Sequence, residues 1–207
     1  HRRPWPNDGP MFPPLALPAA MEDALKAAHA APVRAYHHYG HALAVLEHCR
    51  QLHLQQPWQQ PAEVQLAALW HDAVYVPGRS DNEAMSAELA GRAITRWLPD
   101  AGIDIQAVVR LIELTARHGA LQVGDVSPEQ ARFLDCDMAI LAAPWDVFVA
   151  YDAGIAEEFS GVVPGWLFRW RRRAFLKRLL QAPRIYLSAD GHARWDAAAR
   201  DNLSRRL

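Results

Sequence analysis

From Pro18 onward the apolar positions recur at three- and four-residue spacing, and proline, glycine and capping residues punctuate them into helices. A first helix starts at Pro18, with proline in its first turn. A second runs from about Arg34 to Leu54, with Tyr39, Ala42, Leu43, Leu46 and Cys49 on its apolar side. Pro61 opens a third, through Trp70 and His71. Its Val64, Leu66, Ala67, Ala68 and Leu69 are apolar nearly all round, the mark of a buried helix. Ser80 to Glu83 has capping-box form ahead of a helix that ends near Pro99. Asp104 caps the next, which carries Val108, Leu111, Ile112 and Thr115 on one side and ends at His118-Gly119. Ser127-Pro128-Glu129-Gln130 starts a helix through Phe133 and Met138 to Leu141. Pro144 opens a helix through Phe159, Pro164 and Gly165 separate it from a basic, aromatic helix at 166–181, and Asp190 to Leu207 reads as the last helix. No strand alternation and no repeat is visible. The pattern predicts an all-α bundle of about eight or nine helices, one domain over residues 18–207, behind an irregular arm at 1–17.

Composition narrows the class. In 207 residues, 51% apolar and 22% charged with a formal net charge of −1, nothing suggests a polyanion-binding or membrane-binding surface. No apolar run approaches the roughly 18 residues of a membrane helix. Arg2 and Arg3 ahead of residues 11–20 loosely imitate a signal peptide, but three prolines in those ten residues break the apolar segment. Cys49 and Cys136 read as free buried thiols, and a reducing cytoplasm is the expected compartment. Trp166, Trp170 and the basic run Arg169 to Arg173 read as a solvated helix face rather than a nucleic-acid patch.

The chemistry begins at His71-Asp72, at the end of the buried third helix. A histidine and an aspartate inside an apolar run are costly unless something satisfies them, and a divalent metal would. Alone, the dipeptide reads more often as a helix-ending histidine with a capping aspartate. Its surroundings add weight. His37 and His41 lie four apart on the second predicted helix, and Asp135 and Asp137 interrupt an apolar helix where a buried acid needs a cation or several donors.

This ordered set resembles the HD superfamily of metal-dependent phosphohydrolases, and within it a bacterial branch of small proteins of about this length. The likeness is carried by Arg34-Ala-Tyr36-His37…His41, Trp70-His71-Asp72-Ala-Val-Tyr75, Asp81-Asn82-Glu83-Ala-Met-Ser86-Ala87, Thr115-Ala-Arg-His118, Phe133-Leu-Asp135-Cys-Asp137-Met-Ala-Ile-Leu141, Ile185-Tyr186 and Ala199-Arg200-Asp-Asn202-Leu203. It spans roughly residues 34–207. It departs at the short, proline-rich N-terminus and at Arg171, where glycine is the expected residue before Arg172.

The resemblance implies an HD-type helical bundle in which His41, His71, Asp72 and Asp137 hold one divalent ion (Mn, Zn, Ni, Fe, Co or Mg). It implies hydrolysis of a nucleotide or other small phosphate ester by a metal-activated water, with Asp72 touching both metal and water. Glu83 is a candidate general base or acid, or a capping-box glutamate. His118 is a candidate proton donor, a ligand of a second metal, or a helix end set against the dipole. Arg34 is the candidate phosphate clamp, and His37 a phosphate contact at the pocket edge. Asp81 and Asn82 stabilise their loop, and Asp135, two residues from Asp137, points away and is structural. Two other readings remain. A di-iron oxygenase on the same scaffold needs about two more histidines, where only His118 lies in the interval and His37 would have to compensate. A non-catalytic nucleotide sensor would keep the metal pocket.

Overall fold

The computed structural model describes residues 12–117 and 119–207. Among them the regular structure is entirely helical, and its nine α-helices match the pattern of apolar positions. They are α1 (Ala19–Ala30), α2 (Tyr39–Gln55), α3 (Pro61–Trp70), α4 (Asn82–Trp97), α5 (Ile105–Thr115), α6 (Pro128–Met138), α7 (Trp145–Glu158), α8 (Gly165–Gln181) and α9 (Ala189–Arg206). A 3-10 turn, Ala139–Ala142, extends α6. None of these helices is long and apolar enough to cross a membrane.

Helix α3 is the axis of the bundle. Every residue from Glu63 to Trp70 is buried, so its side chains find apolar neighbours all round. It packs against α2, α4 and α5, and α4 lies along α5. Its one early charge, Glu63, accepts a hydrogen bond from the Asp104 amide at the start of α5. Wrapping the axis this fully fixes where its C-terminal end points, and that end is His71-Asp72.

Several starts follow their sequence signals. Asp104 accepts from the Ala107 amide, and Ser127 with Gln130 forms a reciprocal capping box at α6. Two expectations need correction. The Ser80–Glu83 capping box does not form: Asp81 stands at the N-cap without a side-chain cap bond, which frees Glu83 for other work. Helix α2 starts at Tyr39 rather than near Arg34. His38 caps it, accepting from the Gly40 amide through Nδ1, and its ring lies so close that a Cβ at residue 40 would sit 2.7 Å from it. His37 is therefore in the preceding loop, not on the helix face of His41.

Residues 12–18 carry no helix, as the arm reading expected, and they are tied down. Phe12 meets the His53 ring edge-on, and Leu15 exchanges two backbone hydrogen bonds with the Gln65 amide. Residues 1–11 of that arm lie outside the described residues. Cys49 and Cys136 are free and buried.

The other end of the core orients Asp137. The Asp135 carboxylate accepts from the amides of Leu187 and Ser188 and from the Ser188 hydroxyl, so it is structural, as expected. Tyr186 donates to the Met138 carbonyl, and Asn202 donates to the carbonyls of Leu141 and Ala143. The orphan carbonyls where α6 ends are thus satisfied from the C-terminal segment.

Candidate metal centre

Three helices deliver four ionisable side chains to one point. His41 comes from the first turn of α2, His71 and Asp72 from the end of α3, and Asp137 from the last turn of α6. The ligating atoms of His41, His71 and Asp137 all lie within 4.8 Å of one another. Asp72 Oδ2 stands 3.1 Å from His71 Nε2 and 3.5 Å from His41 Nε2. The two Nε2 atoms are 3.2 Å apart, and Asp137 Oδ1 stands 3.0 Å from His41 and 3.4 Å from His71; Asp72 flanks the two imidazoles and is not part of that mutually close group of three.

These spacings test whether an ion fits. Ligands bound at about 2.1 Å stand roughly 3.0 Å apart at octahedral angles and roughly 3.4 Å apart at tetrahedral ones. The three separations among His41, His71 and Asp137 fall at or next to those values, and so do the two from Asp72 to the imidazoles. The donor types fit as well: two imidazoles in their neutral form and the Asp137 carboxylate are ordinary ligands of a divalent cation, and the Asp72 carboxylate beside them adds a second negative charge.

The outer nitrogens of the rings support the same reading. His71 Nδ1–H donates to the Ala68 carbonyl at 2.9 Å, which leaves the Nε2 lone pair aimed at the cluster. His41 Nδ1 is 3.0 Å from the Tyr36 hydroxyl, which holds the ring in register. Burial alone would lower the His71 pKa, but Asp72 and Asp137 outweigh it and raise it well above the ordinary imidazole value. Burial would raise Asp72, yet the His71 imidazole beside it holds that carboxyl below its ordinary range. At His41 burial wins over the Asp137 bond and the pKa falls.

A cavity of about 250 Å³ opens over the cluster. His41, Asp72 and Asp137 line it, and so do His37, Glu83 and Thr115. Of the residues singled out in the sequence, the structure gathers all of these in one place. His118 lies outside the described residues. Arg34 is not brought to the cavity, and the expectation of a phosphate clamp is corrected. Its guanidinium is buried and donates to the carbonyls of Ala28, His37, Asp72 and Ala73, stitching α1, the loop before α2 and the turn after α3 together. Arg34 therefore positions the His-Asp turn from behind.

Two residues that sequence reasoning passed over stand in the site. Glu158 accepts from the amides of Tyr36 and His37 and binds His37 Nδ1 at 2.6 Å. Burial would raise its pKa, but those bonds, led by the His37 ring, bring it below the ordinary value. The His37 ring stacks on Tyr75 with centroids 4.0 Å apart. Arg172, from the run read as solvated, turns inward and lines the cavity. Its Nε donates to Asp152 while its buried Nη2 makes no hydrogen bond among the described residues.

Compared with protein-family models, with curated proteins and with solved structures, the chain matches none.

Proposed function

We propose that this chain is a metal-dependent phosphohydrolase, as its resemblance to the HD superfamily implies, acting on a small phosphate ester. The observation that carries the reading is the cluster itself: two imidazole nitrogens 3.2 Å apart, each within 3.0–3.5 Å of an Asp72 and an Asp137 carboxylate oxygen, under a cavity on whose wall Arg172 Nη2 makes no hydrogen bond among the described residues. An ion bound by His41, His71, Asp72 and Asp137 supplies a Lewis acid for a phosphoryl oxygen and acidifies a water. Asp72 faces both the cluster and the cavity and orients that water. Glu83, free of any capping duty and on the cavity wall, takes its proton. Arg172 offers Nη2 to the phosphate oxygens, a charge-assisted contact that removes the cost of a buried, unpaired donor. With Nδ1 held by Glu158, the His37 ring presents Nε2 to the same phosphate.

The test is metal content per chain, with release of inorganic phosphate, for the wild type, Asp72→Ala and Asp137→Asn. The expected result is about one ion in the wild type, loss of the ion in Asp137→Asn, and loss of metal-dependent turnover in both variants. Two ions, mostly iron, with no phosphate release would replace this reading with the oxygenase. Stoichiometric metal retained in Asp137→Asn would remove that residue from the ligand set.

A further inference from the structure

The cavity over the metal cluster is small. At about 250 Å³ it falls just below the range of about 300–1,000 Å³ usual for whole ligands, so a bulky ester extends beyond it. One chamber of about 470 Å³ meets it behind His41 and Asp137, and a second of about 290 Å³ adjoins it on the side of Arg172, whose Nη2 makes no hydrogen bond among the described residues. The cavity and this second chamber adjoin across Ile155, Arg172 and Phe175, which belong to the walls of both.

The second chamber has a distinct chemistry. Beyond the shared residues its walls are Phe159, Val163, Phe168 and Arg171. No hydroxyl, amide or carboxylate side chain lines it, and its polar groups are the two guanidiniums. The rings of Phe159 and Phe168 pack 5.5 Å apart at 32°. A sugar with its hydroxyls, or a base with its ring nitrogens and exocyclic groups, would leave polar atoms unpaired there, and each such atom costs affinity. An aryl or alkyl group would gain by leaving water. Arg172 stands where the chambers meet, its guanidinium 5.0 Å from the Tyr151 ring and 5.5 Å from the Phe175 ring.

From this juxtaposition we infer that the substrate is the phosphate monoester of an apolar alcohol or phenol, with its organic part seated against Phe159, Val163, Phe168 and Phe175. The inference rests on the phosphohydrolase reading and narrows it away from nucleotides. In the reaction the water oxygen bonds to phosphorus and the ester P–O bond breaks. One water proton goes to Glu83 and the other stays on the phosphate; the departing oxygen takes a proton from solvent, to which Glu83 returns its own, giving inorganic phosphate and the free alcohol or phenol.

The experiment compares kcat/KM of the metal-loaded protein for 2-(1-naphthyl)ethyl phosphate, glycerol 3-phosphate and adenosine monophosphate, all esters of primary alcohols with similar leaving groups. The naphthyl ester should exceed each of the others by about tenfold or more, the scale of burying an aromatic group in an apolar pocket. Phe168→Ser should lower the naphthyl-to-glycerol ratio several-fold. Val163→Thr, nearly isosteric and safe for folding, should move it in the same direction. Equal or better turnover of the nucleotide or of glycerol phosphate would overturn the inference and leave the phosphohydrolase standing. A ratio unmoved by both variants would also overturn it. No phosphate release from any of the three, in protein shown to hold its metal, would overturn both.

Discussion

Arg34 donates to four backbone carbonyls from three separate segments, and two of those carbonyls belong to Asp72 and its neighbour Ala73. Replacing it with glutamine strands most of them in a buried setting, which costs about 1–3 kcal/mol for each group left bare. The turn that aims His71 and Asp72 then loses its backing. Arg34→Gln should lower the midpoint of thermal unfolding and weaken metal affinity by about 10–100-fold, the range typical of residues that orient ligands from behind. A metal titration that gives wild-type affinity would show that the turn holds without it. The sequence placed Arg34 near the chemistry because it sits beside His37 and His41. It could not say whether the guanidinium faces a substrate or a carbonyl, since that depends on where the chain returns 38 residues later. Arg172 is the opposite case. Phe168, Arg172, Phe175, Leu176 and Leu179 form one stripe at helical spacing, so the inward turn of Arg172 was readable once the run was taken by periodicity instead of by charge. Glu158 also left a trace: an acid in the last turn of a helix opposes the dipole and calls for a partner, which His37 and two amides supply.

At the level of elements, the starts of α1, α3, α5 and α6 were legible from proline and capping residues, because a cap is a local device. The start of α2 was not. The competing signal there is the His38 side chain folding onto the Gly40 amide, which shortens a segment whose apolar spacing looks continuous. The junction of α6 with α9 shows the same limit. Asp135 read correctly as structural, but its partners lie 52 and 53 residues away. That junction leaves no room at Gly191, whose amide is bonded by the Ser188 hydroxyl while a Cβ there would sit 2.3 Å from Asp135 Oδ2. Gly191→Ala therefore has to displace the carboxylate that ties the two helices together. Its helix propensity gain, under about 1 kcal/mol, is smaller than an overpacking cost of about 1–3 kcal/mol. The expected outcome is a net loss in stability by denaturant titration. An alanine variant as stable as the wild type would mean that Asp135 moves aside without loss.

Across the whole molecule, the number of helices follows from the pattern of apolar positions, while their packing order around α3 does not, because every helix offers an apolar face of similar character. What that packing produces is a buried histidine set with a definite acid response. His29, at the end of α1, donates through Nε2 to the Leu69 carbonyl of α3, and its buried Nδ1 has no hydrogen-bond partner among the described residues. Burial lowers its pKa to about 4, and nearby Arg34 adds to the fall. Since the unfolded chain protonates this group near pH 6.5, it binds more protons than the folded chain between pH 6.5 and 4. Stability therefore falls as pH drops through that window, and the contribution is fully present above it. Burial lowers His41 and His48 as well, which adds to the same slope, while Asp135, raised to about 6 by its own burial, opposes it. A single substitution isolates the His29 share. His29→Gln keeps a donor for the Leu69 carbonyl and cannot take up a proton. Between pH 7 and pH 5 the metal-free wild type should lose about 1–2 kcal/mol more stability than this variant in urea titrations. Parallel losses in the two proteins would mean that the His29 ring protonates in the fold as readily as in the unfolded chain, and the buried contact between α1 and α3 would then have to be open to water.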